Sequence, residues 1–497
     1  MEDSKYQKVI YKVFQKTNKD INISAVAGSG KTTVLLELLK FVPRNNSSLF
    51  LAFNNSIVDE LKERSSRRDT QIMTIHSSGW RSILRTYGGS IKMNPNKGIA
   101  KTEKVLKEFK IPENRKGYYF YNVPKILDLM RCNLCKNTKE DIIRLVDYYD
   151  FSIEDKDIDI IIKAYKYLIK DKSQFDFMDM IFVPVTDPFI RFKKYDYVFC
   201  DESQDFSLCQ QEFIKNCVGR KGRLITVGDK KQAIYGFAGA DANSYERLAD
   251  INGQAIKLPL SVCYRCAKDI VKEAQKFVPE IQYYENSPKG SVHEGSLTEI
   301  QEGDWIVCRN LKPLVQTYIW LMKNKIKSKI RGKEIGEGIL SLISKMNAKT
   351  FESLHEKLKD EKEKLFDRLK KKGVAKPSLH PKMETLDQKI EVINYLCEEV
   401  SNINELKDMI KNIFSDSVKG IILSTIHKSK GLENERIFFL CPELIPSKYA
   451  IQPWQLEQEN NLAYVAITRA KKELIYVRSN TLGNDIRSKV ILNNKNN

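Results

Sequence analysis

Two short stretches of this 497-residue chain combine residue types that could act on a phosphate ester. The first is Ala25-Val26-Ala27-Gly28-Ser29-Gly30-Lys31-Thr32-Thr33. Glycines let the backbone come close to an anion, so that successive N–H groups point at it. A helix starting there adds the partial positive charge of its N-terminus. Lys31 could neutralise the β- and γ-phosphates of a nucleotide, and the Thr32 hydroxyl could bind Mg²⁺. The second stretch is Asp201-Glu202-Ser203-Gln204-Asp205. Asp201 is suited to hold Mg²⁺, and Glu202 to orient or deprotonate an attacking water. Taken alone, the first stretch fits a small-molecule kinase as well as a motor, and the second fits a solvated acidic turn.

Both stretches need a rigid sheet edge beneath them. Short apolar runs recur between helical stretches: Ile21–Val26, Leu49–Phe53, Tyr197–Cys200 and Leu224–Val227, then Trp305–Cys308, Ile421–Thr425, Ile437–Leu440 and Leu474–Val477. Runs of this length alternating with helices predict parallel sheets covered on both faces. Two such sets predict two α/β cores, and the length also calls for several domains. The glycine-rich stretch follows the first run and precedes a predicted helix, Val34–Phe41. The acidic stretch follows the run ending at Cys200.

Each core is interrupted. Residues 88–175 read as helical, with an aromatic cluster Tyr118-Tyr119-Phe120-Tyr121. In residues 337–412, Leu354, Leu358, Leu365 and Leu369 recur at helical spacing, Pro377 and Pro381 break the pattern, and Met383, Leu386, Ile390, Ile393 and Leu396 resume it. That predicts a helical hairpin whose stripes are packing surface.

Lys and Arg number 83 against 64 Asp and Glu, a formal net charge of +19. Such a surplus points to a polyanionic partner, although a lysine-rich proteome would also give it. No apolar run approaches the roughly 18–20 residues of a membrane span. The start, Met1-Glu2-Asp3-Ser4-Lys5, has no apolar signal core, so the expectation is a cytoplasmic or host-cell interior without membrane attachment. Ten scattered cysteines suit a reducing compartment. The pairs Cys132/Cys135 and Cys263/Cys266 could together hold zinc or be ordinary thiols.

Further motifs occur in a fixed order. Leu51-Ala52-Phe53-Asn54-Asn55-Ser56, Thr74-Ile75-His76-Ser77 and Asp176-Phe177-Met178-Asp179-Met180 flank the first insertion. Val227-Gly228-Asp229-Lys230-Lys231-Gln232-Ala233-Ile234-Tyr235-Gly236-Phe237-Ala238-Gly239-Ala240 and Leu260-Ser261-Val262-Cys263-Tyr264-Arg265 follow the acidic stretch. Ser424-Thr425-Ile426-His427-Lys428-Ser429-Lys430-Gly431-Leu432-Glu433 and Ala463-Tyr464-Val465-Ala466-Ile467-Thr468-Arg469-Ala470-Lys471 complete the series. With Gln7 upstream, the series resembles the UvrD/Rep/PcrA-like helicases of superfamily 1, motif by motif from Gln7 to Lys471.

The resemblance implies a fold of two RecA-like P-loop NTPase domains with parallel sheets, each with a mainly helical insertion. It divides the chain into 1–87 with 176–260 (1A), 88–175 (1B), 261–336 with 413–497 (2A) and 337–412 (a short counterpart of 2B). It implies an ATP-dependent helicase with ATP and Mg²⁺ as cofactors, acting on single-stranded and duplex DNA with 3′-to-5′ movement. It assigns ATP binding to Gln7, Ala27, Gly28, Ser29, Gly30, Lys31, Thr32, Thr33, Tyr264, Arg265, Glu433 and Arg469, and Mg²⁺ to Thr32 and Asp201. Among these Gln7 reads adenine, Tyr264 stacks on it and Glu433 bonds the ribose. It assigns catalysis to Lys31, Asp201, Glu202, the γ-phosphate sensor Gln232 and the arginine fingers Arg265 and Arg469. It assigns DNA contacts to Phe53, Asn55, His76, Tyr235, Phe237, Thr425 and His427, the three aromatics by base stacking.

Three departures stand out. Ala238 replaces the arginine usual in the family after the aromatic at Phe237. The second insertion, about 75 residues, is much shorter than a usual 2B domain. The sequence ends soon after the last motif, Ala463 to Lys471, so no appended nuclease domain is expected. A monomer is expected, and replication or repair proteins are candidate partners. Competing readings are a translocase or RNA helicase that does not unwind duplex DNA, and an ATP-regulated nucleic-acid-binding module.

Overall fold

The computed structural model describes residues 3–487 except 53–54, 89–90, 150, 152, 154, 235–238, 242, 252, 254, 372–373, 375 and 415–419. The chain divides into two compact units, with the boundary between Val262 and Cys263.

The first unit is built on a six-stranded sheet. Its strands are β1 (Ile21–Ala25), β2 (Ser48–Ala52), β3 (Gln71–Thr74), β4 (Tyr195–Cys200), β5 (Val218–Gly228) and β6 (Ile256–Leu260), in spatial order β3-β2-β4-β5-β1-β6. Every pairing is parallel. Successive side chains leave opposite faces of a strand, so each face needs its own cover. Phe50, Phe199 and Ile225 pack on one side with Ile10 and Leu35. Leu49, Leu51, Val198 and Leu224 pack on the other.

Helices α1 (Lys5–Lys16), α2 (Lys31–Lys40), α3 (Asn55–Arg64) and α4 (Ile75–Tyr87) accompany the first three strands. Four more, α5 (Lys97–Glu108), α6 (Glu113–Cys132), α7 (Lys139–Tyr148) and α8 (Asp155–Lys170), lie between α4 and β4. Their Val105, Ile126 and Ile161 join the same apolar cluster as Leu49 and Leu51. The chain returns through α9 (Asp179–Thr186), and α10 (Leu208–Cys217) and α11 (Ser244–Ala249) complete the unit.

The second unit repeats the plan. Its strands are β7 (Ser291–Glu294), β8 (Trp305–Cys308), β9 (Ser328–Ile330), β10 (Ile421–Thr425), β11 (Asn434–Leu440) and β12 (Ala470–Val477), ordered β7-β12-β11-β8-β10-β9 and all parallel. The helices are α12 (Lys268–Ala274), α13 (Leu311–Lys323), α14 (Lys333–Met346), α15 (Phe351–Lys371), α16 (Pro381–Cys397), α17 (Ile403–Ile413), α18 (Ile426–Ser429), α19 (Pro453–Ile467) and α20 (Ser479–Arg487). Pro381 opens α16, where its missing N–H costs nothing. Leu354, Leu358, Ile393 and Leu396 are buried in one cluster with Ile306 and Leu423 of the sheet, while Leu365, Leu369 and Met383 form a smaller one with Tyr449. Both units are therefore the α/β cores with parallel sheets that the apolar runs predict. No helix among the described residues is long and apolar enough to cross a membrane.

Candidate nucleotide site and nucleic-acid groove

The register of the first sheet brings three loops to one edge. Ser24 pairs with Gly228 across β1 and β5, and Cys200 with Thr226 across β4 and β5. The segments after Ala25, Cys200 and Gly228 thus leave side by side at the carboxyl ends of the strands, the usual place for ligands in such sheets. Gly28 and Gly30 have φ of 66° and 81°, the left-handed region that favours glycine, and Gly30 caps α2. The Ser29 hydroxyl donates to the Val26 carbonyl at 2.8 Å, closing the loop. Ala27 and Ser29 are fully buried. Lys31, Thr32 and Thr33 form the first turn of α2, where backbone N–H groups have no intrahelical acceptor.

Lys31 Nζ lies 2.8 Å from Glu202 Oε1, and the Thr32 hydroxyl donates to Asp201 Oδ2 at 2.6 Å. Glu202 has φ of 52°, a strained turn for a residue with a side chain, which bends the chain sharply after β4. Gln204 Nε2 donates to Glu202 Oε2 at 2.6 Å, and its Oε1 accepts the Asp229 N–H at 3.0 Å. Gln232 Nε2 donates to Asp229 Oδ2 at 2.8 Å. A chain of hydrogen bonds therefore runs from Glu202 to Gln232. Gly228 makes room for it, since a Cβ there would lie 2.7 Å from Gln204 Oε1.

One buried lysine faces three carboxylates here. Burial disfavours charge on Lys31, but Glu202, Asp201 and Asp229 outweigh it and hold its pKa above the ordinary value. Burial and the neighbouring Glu202 charge push Asp201 up, and burial lifts Asp229 to about 6. This excess of negative charge, with a hydroxyl and a carboxylate oxygen side by side, is a hard-oxygen donor set that fits Mg²⁺. Gln7 is buried at the third position of α1, where its Oε1 accepts the Ser4 N–H at 2.8 Å in a capping box.

A groove of about 710 Å³ opens beside this site, beyond the ends of β2 and β3. Asn55 and His76 line it, as the motifs imply, and so do Trp80, Arg81, Phe177 and Met180. The His76 ring lies on Phe177 with centroids 3.8 Å apart and an interplanar angle of 20°. Burial lowers its pKa to about 4, leaving it neutral. Phe177 is 57% exposed. No role implied by the motifs falls on Trp80, Arg81 or Phe177. In the sequence Phe177 is marked only as an aromatic ring in a short segment bounded by Asp176 and Asp179. Phe53, Tyr235, Phe237 and Ala238 lie outside the described residues.

In the second unit, Arg265 and Lys471 both pair with Glu433, the latter at 2.8 Å. Arg469 is buried; its Nε donates to the Val465 carbonyl at 3.0 Å and its Nη1 to the Leu432 carbonyl at 2.8 Å. Burial, then the charge of Arg265, lowers its pKa to about 10. The Tyr264 ring packs on Tyr284 at 5.0 Å. Thr425 caps α18, and the His427 imidazole within that helix is pushed down to about 3, by burial first and then by Arg309 and Lys428. Cys266 Sγ lies 3.8 Å from the Thr468 carbonyl. Among the described residues no group of three or more His, Cys, Asp or Glu is arranged to hold a metal ion.

The phosphate loop, its carboxylate partners and the parallel sheet that carries them define a P-loop NTPase fold. Residues 7–251 match the UvrD/REP helicase N-terminal domain. Over most of its length the chain is similar to the ATP-dependent DNA helicase PcrA of Staphylococcus epidermidis, at 24% identity across 94% of this chain and 82% of that protein. It is also similar to the ATP-dependent DNA helicase Rep of Buchnera aphidicola, at 21% identity across 93% and 92%. A match to F-box DNA helicase protein 1 of Schizosaccharomyces pombe, at 27% identity, covers 57% of this chain and 34% of that protein. The chain belongs to the UvrD/Rep/PcrA-like helicases of superfamily 1.

Proposed function

We propose that this protein is an ATP-dependent DNA helicase that translocates on single-stranded DNA, 3′ to 5′, and unwinds duplex. The observation that carries the reading is the pairing of Lys31 with Glu202 and of Thr32 with Asp201 at the glycine loop. In this reading Thr32 and Asp201 hold Mg²⁺, which, bound with ATP, supplies charge neutralisation at the β- and γ-phosphates. Lys31 moves from Glu202 to the phosphates and leaves that carboxylate available to a water. Gln232 senses the γ-phosphate and passes its presence along Asp229 and Gln204. Arg265 and Arg469 act on the γ-phosphate as arginine fingers, Tyr264 stacks on adenine, Glu433 takes the ribose, and Gln7 reads the base edge. Glu433 and Arg469 must then exchange the partners described above.

The groove at Asn55, His76 and Phe177 takes the single strand. Its stacked aromatics grip any base, at about 1–3 kcal/mol each, and Arg81 meets a phosphate. Phe53, Tyr235, Phe237, Thr425 and His427 are assigned to the same strand by family membership. The domain limits implied by the motifs stand as part of this proposal.

A strand-displacement assay with 3′-tailed, 5′-tailed and blunt DNA duplexes tests the reading, with ATP turnover measured in parallel. Displacement of the 3′-tailed duplex alone, dependent on ATP and Mg²⁺, is the expected result. ATP turnover stimulated by RNA and not by DNA, or no turnover with either, would refute it.

A further inference from the structure

The helices between α4 and β4 send two cations into the protein interior, and neither belongs to the nucleotide site. Arg131 of α6 and Lys97 of α5 are 0% and 1% exposed. Arg131 Nη1 donates to Asp176 Oδ1 at 2.7 Å and to Asp179 Oδ1 at 2.8 Å, and its Nη2 to Asp176 Oδ2 at 2.9 Å. Nη2 also reaches Asp128 Oδ1 at 2.5 Å. Lys97 Nζ donates to Asp179 Oδ2 at 2.6 Å and to the Asp171 carbonyl at 2.9 Å. The two carboxylates close the turn on itself as well: the Asp176 N–H donates to Asp179 Oδ2 at 3.1 Å and the Asp179 N–H to Asp176 Oδ1 at 2.9 Å.

Buried ion pairs stabilise little compared with apolar packing of the same volume, because desolvation offsets their attraction. What a forked, multiply bonded arginine does provide is fixed geometry. The turn fixed here contains Phe177, whose exposed ring lies on His76 in the groove. Helix α4, which carries His76, packs through Gly79 against the first turn of α9 that follows, where a Cβ would lie 1.8 Å from the Met180 carbonyl oxygen. The turn is thus tied to α5 and α6 by ion pairs and continues into a helix packed on α4, and it presents Phe177 to the groove.

We infer that Arg131 and Lys97 are positioning residues for strand binding: through Asp176 and Asp179 they fix Phe177 as a stacking platform. The inference rests on the groove being the single-strand site proposed above. It makes the helical insertion a part of the grip without requiring the insertion to touch the strand at this point.

A double-mutant cycle on single-strand affinity tests it, with thermal unfolding as a check on folding. Arg131→Lys keeps the charge and loses the fork; Lys97→Met removes the second clamp and serves if the first variant does not fold. Phe177→Ala is expected to weaken binding of an oligonucleotide roughly 5- to 150-fold, the worth of one stacked base. Arg131→Lys should weaken binding several-fold in the native background and have no effect in the Phe177→Ala background. A 2-aminopurine base in the oligonucleotide should lose its stacking quench in both single variants. Equal weakening by Arg131→Lys in both backgrounds, or none in either, overturns the positioning role and leaves the groove assignment standing. Native affinity in Phe177→Ala overturns the groove assignment itself, and the positioning role with it.

Discussion

Lys31 is the residue whose loss should be simplest to read. Lys31→Ala removes the cation that faces Glu202, Asp201 and Asp229, so ATP turnover should fall about 10²-fold or more while single-strand binding survives. A steady-state ATPase assay beside fluorescence anisotropy checks both halves, and near-native turnover would refute the site. Glu202→Gln should keep the shape of the pocket, retain nucleotide and lose hydrolysis, as single-turnover measurements would show. His76 gives a pH signature. Its folded pKa lies near 4 against an ordinary 6.5, so the unfolded chain takes up the proton first. The stability it supports is complete above pH 6.5 and is lost as pH falls through about 4. Denaturant unfolding at a series of acidic pH values should show this loss in the native protein, and His76→Gln should flatten it. Much of this scale was legible beforehand, because Gly28, Gly30, Lys31, Thr32 and Asp201 act through type and local spacing. Phe177 was not, since its role depends on a partner about a hundred residues away, His76, and on a turn held by helices between them.

At the scale of elements, the eight apolar runs became the eight interior strands of the two sheets. The remaining strands of these two six-stranded sheets, β3, β6, β7 and β9, which no apolar run marks, are their four edges. An interior strand is paired on both sides and covered on both faces, which demands a continuous apolar run. An edge strand is free of part of that demand: β9 has three residues, β7 carries His293 and Glu294, and β6 carries Lys257 and Pro259. The hairpin expected from Leu354 to Leu396 is present as α15 and α16, because heptad-like leucine spacing is a local property. The closeness of α4 to α9 at Met180 is not local, and in the sequence it is marked by Gly79. Gly79→Ala should cost about 1–3 kcal/mol or more through overpacking, read from the midpoint of chemical unfolding. An unchanged midpoint would show that α4 can shift at no cost.

Over the whole molecule the net charge of +19 sets how binding responds to salt. If the strand is held largely through its phosphates, the logarithm of affinity should fall linearly with the logarithm of salt concentration, by about 0.7 per phosphate contact. Titration of a labelled oligonucleotide across a salt series checks this, and a flat response would assign the binding to stacking alone. The two apolar clusters that run from sheet to insertion have a thermal consequence. Leu49 and Leu51 share one interior with Val105 and Ile126, and Ile306 and Leu423 share another with Leu354 and Val392. A scanning calorimeter should therefore record no separate endotherm for either set of inserted helices. The four segments that the motifs mark out along the chain would absorb heat as two bodies at most, each melting with the sheet that houses it.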